Sequence, residues 1–361
     1  MPIRPSPRAR AVAGVILVFA LLFAAAQGAR AQSRVGDIPS HAVLFIYHRF
    51  GEAASPSTSI RLDQFDGHLQ ELRDGGYNVL PLADIVKAMQ AGETLADRTV
   101  GISIDDAYAS LYAHAWPRLR AANFPFTIFV ATDTIDRKAP GFMSWEQLRE
   151  LAESGLVDIG SQTGSHPHMP LNDAAKNADE LARSAARIRA EIGKAPTLFA
   201  YPYGEMSLAV KEQVRRAGYA AAFGQHSGVV HAGEDVYYLP RFSLNERFGD
   251  MARFRMAARA LPLAVEDVTP ADPFLAGENP PAVGFTLAED LRNVERMGCY
   301  YADQTLRIER LAARRIEVRI PQAFPPGRAR INCTLPAEGG RWRWHGTQFV
   351  VPYPPGQSPA D

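Results

Sequence analysis

What most constrains this chain is a rhythm: short apolar runs alternate with amphipathic stretches from Ala42 to about Leu244. Val43-Leu44-Phe45-Ile46-Tyr47 is apolar throughout, the pattern of a strand covered on both faces. Leu62 to Arg73 follows with Phe65, Leu69 and Leu72 at helical spacing, and it stops at Gly75-Gly76. The exchange then repeats. Strands are expected at Val100–Ile104, Phe126–Val130, Val157–Ile159, Thr197–Ala200 and Ala220–Phe223. Between them, helices are expected over Leu111–Ala121, from Ser144 to Gly155, over Asn172–Ile192 and over 207–217. Ser144 with Gln147 three residues on is a capping box, and Gly155 is a helix stop. Alternation of this kind calls for a parallel sheet or a β/α barrel, with its chemistry at the C-terminal ends of the strands.

The two ends of the chain read differently. Arg4, Arg8 and Arg10 precede an uncharged run from Ala11 to Ala26. Ala29-Arg30-Ala31 then puts small residues at the −3 and −1 positions of a signal-peptidase site. Residues 1–31 are therefore expected to be a signal peptide cut before Gln32, with a periplasmic or secreted product. The run is short for a membrane span of about 20 residues, so only an uncleaved signal would anchor the chain. Residues 42–262 form the barrel region, and 263–285, with Pro270, Pro273, Pro280 and Pro281, has a linker composition. Residues 286–354 read as a small all-β domain, with strands at Leu306–Ile308, Ile316–Ile320, Ala329–Leu335 and Trp342–Val351. In an exported chain its two cysteines, Cys299 and Cys333, are expected to pair. Trp342 and Trp344 alternate with Arg341 and Arg343, so both indoles share one strand face, where burial in the core of a small sandwich is expected. Lys+Arg 39 balances Asp+Glu 39, which argues against a nucleic-acid partner.

Three segments concentrate groups suited to chemistry. Ser103-Ile104-Asp105-Asp106 sets two carboxylates at the end of a buried strand. Successive strand residues point to opposite faces, so both acids can turn inward only if the strand ends there. Like charges this close are costly, and a cation between them is the usual remedy; the alternative is a helix N-cap before Ala107. After the fourth strand, Gly160 to His168 crowds Gln162, Thr163, Ser165, His166 and His168 into one loop, as metal donors or as a solvated surface. Phe199-Ala200-Tyr201-Pro202-Tyr203-Gly204 ends a strand in a tight turn, whose N–H groups either hold an oxyanion or merely close the strand.

In this order and spacing the three segments resemble the polysaccharide deacetylase family (carbohydrate esterase family four), over roughly residues 42–245. The resemblance implies an α/β fold, a distorted (β/α) barrel of the deacetylase type. It also implies hydrolysis of N-acetyl groups on an amino-sugar glycan, with a divalent metal (zinc, cobalt or nickel) as cofactor. The family's Thr-Phe-Asp-Asp-Gly corresponds to Ser103-Ile104-Asp105-Asp106-Ala107, which makes Asp105 the general base and Asp106 a metal ligand. The family's His-Ser/Thr-x-x-His falls on Gln162-Thr163-Gly164-Ser165-His166. His166 thus matches the second metal histidine, and Gln162 stands where the first belongs. The Tyr-Pro-Tyr turn matches the motif whose backbone amide, here that of Tyr203, holds the oxyanion. Leu44-Phe45-Ile46-Tyr47-His48 is similar to the opening of the circularly permuted exopolysaccharide-deacetylase branch. That likeness makes His48 the general acid, with His226 and His231 as alternatives. Leu239-Pro240-Arg241-Phe242 resembles the same branch and implies that Arg241 pairs with Asp105.

A glutamine amide is neutral and a poorer ligand than imidazole for such metals. The third donor therefore stays open between Gln162 with water, His168 and His48. Two functions follow from the resemblance: an exported metal-dependent polysaccharide or chitooligosaccharide N-deacetylase, and a non-catalytic glycan-binding protein on the same scaffold.

Overall fold

The computed structural model describes residues 40–354 and 356–357; the expected signal peptide 1–31 lies outside them. Seven strands form the backbone of a nine-stranded sheet: β1 (His41–Tyr47), β2 (Thr99–Asp105), β3 (Phe126–Val130), β4 (Val157–Ser161), β5 (Leu198–Ala200), β6 (Ala221–Phe223) and β7 (Phe242–Ser243). These seven pair in parallel, in the order β7-β1-β2-β3-β4-β5-β6, while Asn78–Val79 adds in parallel to β2 and Val230–His231 antiparallel to β1. Leu239 bridges to Phe223 of β6, and Phe242 pairs with Phe45 of β1, so the chain between them draws the sheet round on itself as a distorted barrel. Every residue of β1 and β2 is buried, because the interior takes one face and helices take the other. Phe45, Tyr47, Phe65, Ile104 and Phe126 belong to one apolar cluster, each contributing about 1.5–3 kcal/mol by leaving water.

Besides a short turn at Thr132–Asp136, the helices are α1 (Leu62–Asp74), α2 (Leu82–Ala91), α3 (Trp116–Ala122), α4 (Trp145–Glu153), α5 (Ala174–Ile192), α6 (Leu208–Arg216) and α7 (Met251–Ala258). Ser144 closes its capping box with Gln147, and Asp173 caps α5 through the Lys176 N–H. The helix expected over Leu111–Ala121 opens instead as a π turn, Leu111–Ala115, ahead of α3. Pro117 has no N–H to continue a regular ladder from the preceding turn. Among the described residues no helix is long and apolar enough to cross a membrane.

The C-terminal part is an eight-stranded sheet built from β8 (Leu261–Pro262), β9 (Val265–Thr269), β10 (Val283–Leu287), β11 (Gly298–Tyr301), β12 (Gln304–Arg310), β13 (Arg315–Arg319), β14 (Gly327–Pro336) and β15 (Trp342–Val351). Its order is β8-β15-β14-β11-β12-β13-β10-β9. The expected linker 263–285 is therefore corrected, because it contains β9 and β10. Leu263, Leu275, Val283 and Phe285 are buried in this sheet's own core. The prolines fall between the two strands, where no ladder N–H is needed, so they mark a turn rather than a loose connection. Cys299 and Cys333 face each other across β11 and β14 and are joined by a disulfide.

The sheet packs closely on the barrel. Trp344, expected in a sandwich core, instead meets Phe242 of β7 edge-on at 5.2 Å and joins the barrel's cluster. Arg341 reaches back to the Asp97 carboxylate at 2.9 Å. At Gly346 of β15 a Cβ would stand 2.1 Å from the Ser227 carbonyl oxygen, so only glycine lets the two backbones approach.

Candidate active site

The groups singled out by sequence gather at the C-terminal ends of β1, β2, β4 and β5. The strand β2 stops at Asp105, and Asp106 and Ala107 then take φ values of 73° and 54°. This left-handed pair breaks the alternation that would have sent the two carboxylates to opposite faces. Left-handed backbone also holds Thr163, His166 and Tyr203, so strain at non-glycine residues marks all three loops.

Asp105 is fully buried. Arg241, equally buried, donates to its Oδ1 at 2.7 Å and to its Oδ2 at 3.0 Å, a two-pronged ion pair. The guanidinium spends its other bonds on the Gly224 carbonyl and the Ser103 hydroxyl, and the rings of Phe129 and Phe223 flank it. Gln162 Nε2 also donates to Asp105 Oδ2 at 3.3 Å.

Asp106 faces outward from this pair. Its pKa is raised, first by burial and then by Asp105, while His48 opposes the shift. His166 Nε2 lies 3.5 Å from Asp106 Oδ1, too long for a good hydrogen bond. Burial pushes the His166 imidazole down to about 4, which leaves it neutral with a lone pair to offer. Its loop is held from behind by Glu180 of α5, whose carboxylate accepts from the Gly164 and Ser165 N–H groups at 2.9 and 2.8 Å. His168 turns away to Glu205 at 2.7 Å, with its ring stacked 4.2 Å from that of Tyr203.

His48, Asp106, His166 and Tyr203 line one cavity of about 590 Å³. His226 and His231 are not among its lining residues. His226 stacks on Tyr238, and burial pushes its pKa down to about 3. His231 pairs with Glu234 at 2.7 Å.

A divalent cation can be tested against the donors present. Gln162 Oε1 and His166 Nε2 are buried, and neither has a hydrogen-bond partner. Two orphaned acceptors near a carboxylate fit a cation, since burying such groups unpaired otherwise costs about 1–3 kcal/mol each. Among the described residues no three His, Cys, Asp or Glu side chains cluster as a metal site, so the set depends on the Gln162 amide.

Five further residues at the site escaped the sequence reading. Tyr108 and Gln225 line the cavity, as do Arg328 and Arg330 of β14. Gln348 of β15, fully buried, donates to the Tyr203 carbonyl at 3.1 Å and accepts from Arg330 Nε at 2.6 Å. The C-terminal sheet thus forms one wall of the cavity and pins the Tyr203 turn.

The chain is similar to known deacetylases over part of its length. Residues 92–222 match the family model described as polysaccharide deacetylase. Poly-beta-1,6-N-acetyl-D-glucosamine N-deacetylase of Escherichia coli (strain K12) is 25% identical over 218 residues, covering 49% of this chain and 32% of that protein. The protein of the same name from Staphylococcus aureus (strain MRSA252) is 24% identical over 213 residues, covering 56% of this chain and 73% of that one. The chain spans only about a third of the length of the Escherichia coli relative. Among solved structures, IcaB from Ammonifex degensii superposes with a TM-score of 0.55 at 26% identity, over 61% of this chain and 98% of that one. The Streptococcus pyogenes deacetylase PplD, at 20% identity and a TM-score of 0.55 over 58% of this chain and 95% of its own, shares the fold. His48, Arg241 and the whole C-terminal sheet fall outside the matched segment. Over residues 92–222 the barrel of this chain is similar to polysaccharide deacetylase domains.

Proposed function

We propose that the protein is an exported, metal-dependent N-deacetylase that hydrolyses acetamido groups on an N-acetylglucosamine-containing polysaccharide. The observation that carries this reading is a pair of orphaned acceptors: His166 Nε2, beside Asp106 in the cavity that His48 and Tyr203 share, and Gln162 Oε1, on the buried amide that donates to Asp105. Export is supported by the signal-like sequence of residues 1–31 and by the disulfide.

Amide hydrolysis needs a base for water, donors for the oxyanion and an acid for the leaving amine. In this reading Asp105 takes the water's proton, its carboxylate fixed in one orientation by Arg241. The Tyr203 N–H, set by a left-handed turn, donates to the oxyanion. As the carbon–nitrogen bond breaks, His48 protonates the departing sugar amine, leaving acetate and a free amino sugar. A cation held by Asp106, His166 and the Gln162 amide would supply Lewis-acid polarisation of the acetyl carbonyl.

A second reading, glycan binding without turnover, is favoured by one observation: the strong donors number two, and the third is a neutral amide. Metal analysis, with acetate release from β-1,4- and β-1,6-linked N-acetylglucosamine oligomers under added zinc, cobalt or nickel, separates the two. Metal-stimulated acetate release is expected. Protein that stays metal-free and inactive under all three ions would decide for binding alone. Gln162→His should raise cation affinity and rate together, by roughly tenfold or more.

A further inference from the structure

The catalytic cavity does not end at its own rim. Gln225, Ser243, Phe248 and Arg330 also line a second cavity of about 480 Å³ that runs along the seam between barrel and C-terminal sheet. Four arginines stand on the walls of the two spaces: Arg247, Arg253, Arg328 and Arg330. The acids on those walls are Asp106 and Asp303. Arg247 pairs with Asp303 at 3.3 Å on the exposed rim. Among the described residues no carboxylate pairs with Arg253, Arg328 or Arg330, although the chain as a whole balances its charges. Arg253 is held between the rings of Phe248 and Trp344, its Nε has no hydrogen-bond partner, and burial lowers its pKa. Arg328 and Arg330 alternate on one exposed face of β14, where their like charges oppose each other. Arg328 also lies 5.2 Å over the Tyr203 ring, which joins the arginine row to the catalytic turn. Tyr300, Trp342 and Phe248 add aromatic faces on which sugar rings stack.

Arg253 is half-buried and Arg328 and Arg330 stand exposed on β14; guanidinium groups gathered without a carboxylate partner repel one another, an anion relieves that repulsion, and their planar fork suits carboxylate and phosphate. We propose that this seam is a binding cleft for an acidic glycan. Sugars bearing carboxylate or phosphate groups lie along Arg253, Arg328 and Arg330, while a neighbouring N-acetylated sugar occupies the cavity at Asp106 and His166. The assignment of that second sugar rests on the deacetylase reading; the cleft itself does not.

The test is calorimetric titration of the full chain with three oligosaccharides of equal length. One alternates glucuronate with N-acetylglucosamine, one is a phosphodiester-linked N-acetylglucosamine oligomer, and one is the neutral N-acetylglucosamine oligomer. At least one acidic probe should bind roughly tenfold tighter than the neutral one at low salt. Which acidic probe it is assigns the anion to uronate or to phosphate. That advantage should shrink at high salt and in Arg328→Gln, a change that removes no hydrogen bond of the fold, and further in Arg328→Gln with Arg330→Gln. Equal affinity for all three probes overturns the proposal, as does an acidic preference indifferent to both salt and Arg328→Gln. Acetate release is read on the same samples. Release from the neutral oligomer without acidic preference overturns the cleft and leaves the deacetylase standing. Acidic binding without acetate from any probe does the reverse.

Discussion

The barrel and the C-terminal sheet each supply one side of the same cavity, and they do so by opposite means. On the barrel side the functional groups stand on loops at strand ends, where Asp106, Thr163, His166 and Tyr203 accept left-handed backbone to face one point. On the sheet side Arg328, Arg330 and Gln348 project from unbroken strands whose backbone is ordinary. The difference teaches where precision is needed. Groups proposed to meet reacting atoms are held by strained turns and dense hydrogen bonding. Groups proposed to meet the rest of a polymer need only the regular spacing of a strand.

The largest test of that division is Asp105→Asn. It should lower acetate release roughly a thousandfold. It should also destabilise the fold by about 3–5 kcal/mol, because Arg241 stays buried without its counter-charge. Denaturant titration alongside the acetate assay reads both, and retained activity would remove Asp105 from the role of base. On the sheet side, Cys299→Ser with Cys333→Ser should cost about 3–4 kcal/mol through the loop they close, seen as a lower denaturation midpoint.

Acid sensitivity should be a property of the barrel. His68 is buried neutral between the Tyr47 hydroxyl and the Gly249 carbonyl, stacked on Phe254, and burial lowers its pKa from 6.5 to about 4. The unfolded chain binds its proton first as pH falls. The stability contribution is therefore complete above pH 6.5 and is lost progressively between 6.5 and 4, by about 3 kcal/mol. His68→Gln should flatten that limb of a stability–pH curve; an unchanged limb would move the sensitivity to His226.

The smallest expected effect lies where the two sides touch. Gln348→Ala frees the Tyr203 carbonyl and should cut kcat about tenfold with KM for the neutral oligomer little changed. Gln348→Asn, too short to restore the contact, should behave like the alanine variant. A change in KM alone would make Gln348 a substrate contact rather than a positioning residue.

The barrel was largely legible because its strands are buried on both faces and its helices carry caps: Val43–Tyr47 and Ser144–Gln147 announce themselves in any reading of period and cap chemistry. The chemistry-bearing loops were legible as residue types. Their convergence came from the family resemblance and not from the residues themselves, because Asp106 reaches the cavity only through a backbone conformation that an Asp-Asp-Ala sequence does not advertise. Two helices, α2 and α7, went unread, although Leu82, Ile85, Val86 and Met89 keep helical spacing. The sheet's share of the cavity was hidden for another reason. Arg328 and Arg330 alternate plainly enough, but alternation gives a face and not the surface that the face meets. That surface is fixed by docking across more than a hundred residues of sequence, as between Tyr203 and Gln348.

Gly346 carries a consequence for how this protein tolerates change. It binds nothing and reacts with nothing, yet a single added methyl there would be driven into the Ser227 carbonyl. A saturation survey of the chain would find that position as unforgiving as any acid in the proposed catalytic pocket. The intolerance would record the fit between two bodies, and a survey read without coordinates would mistake it for chemistry.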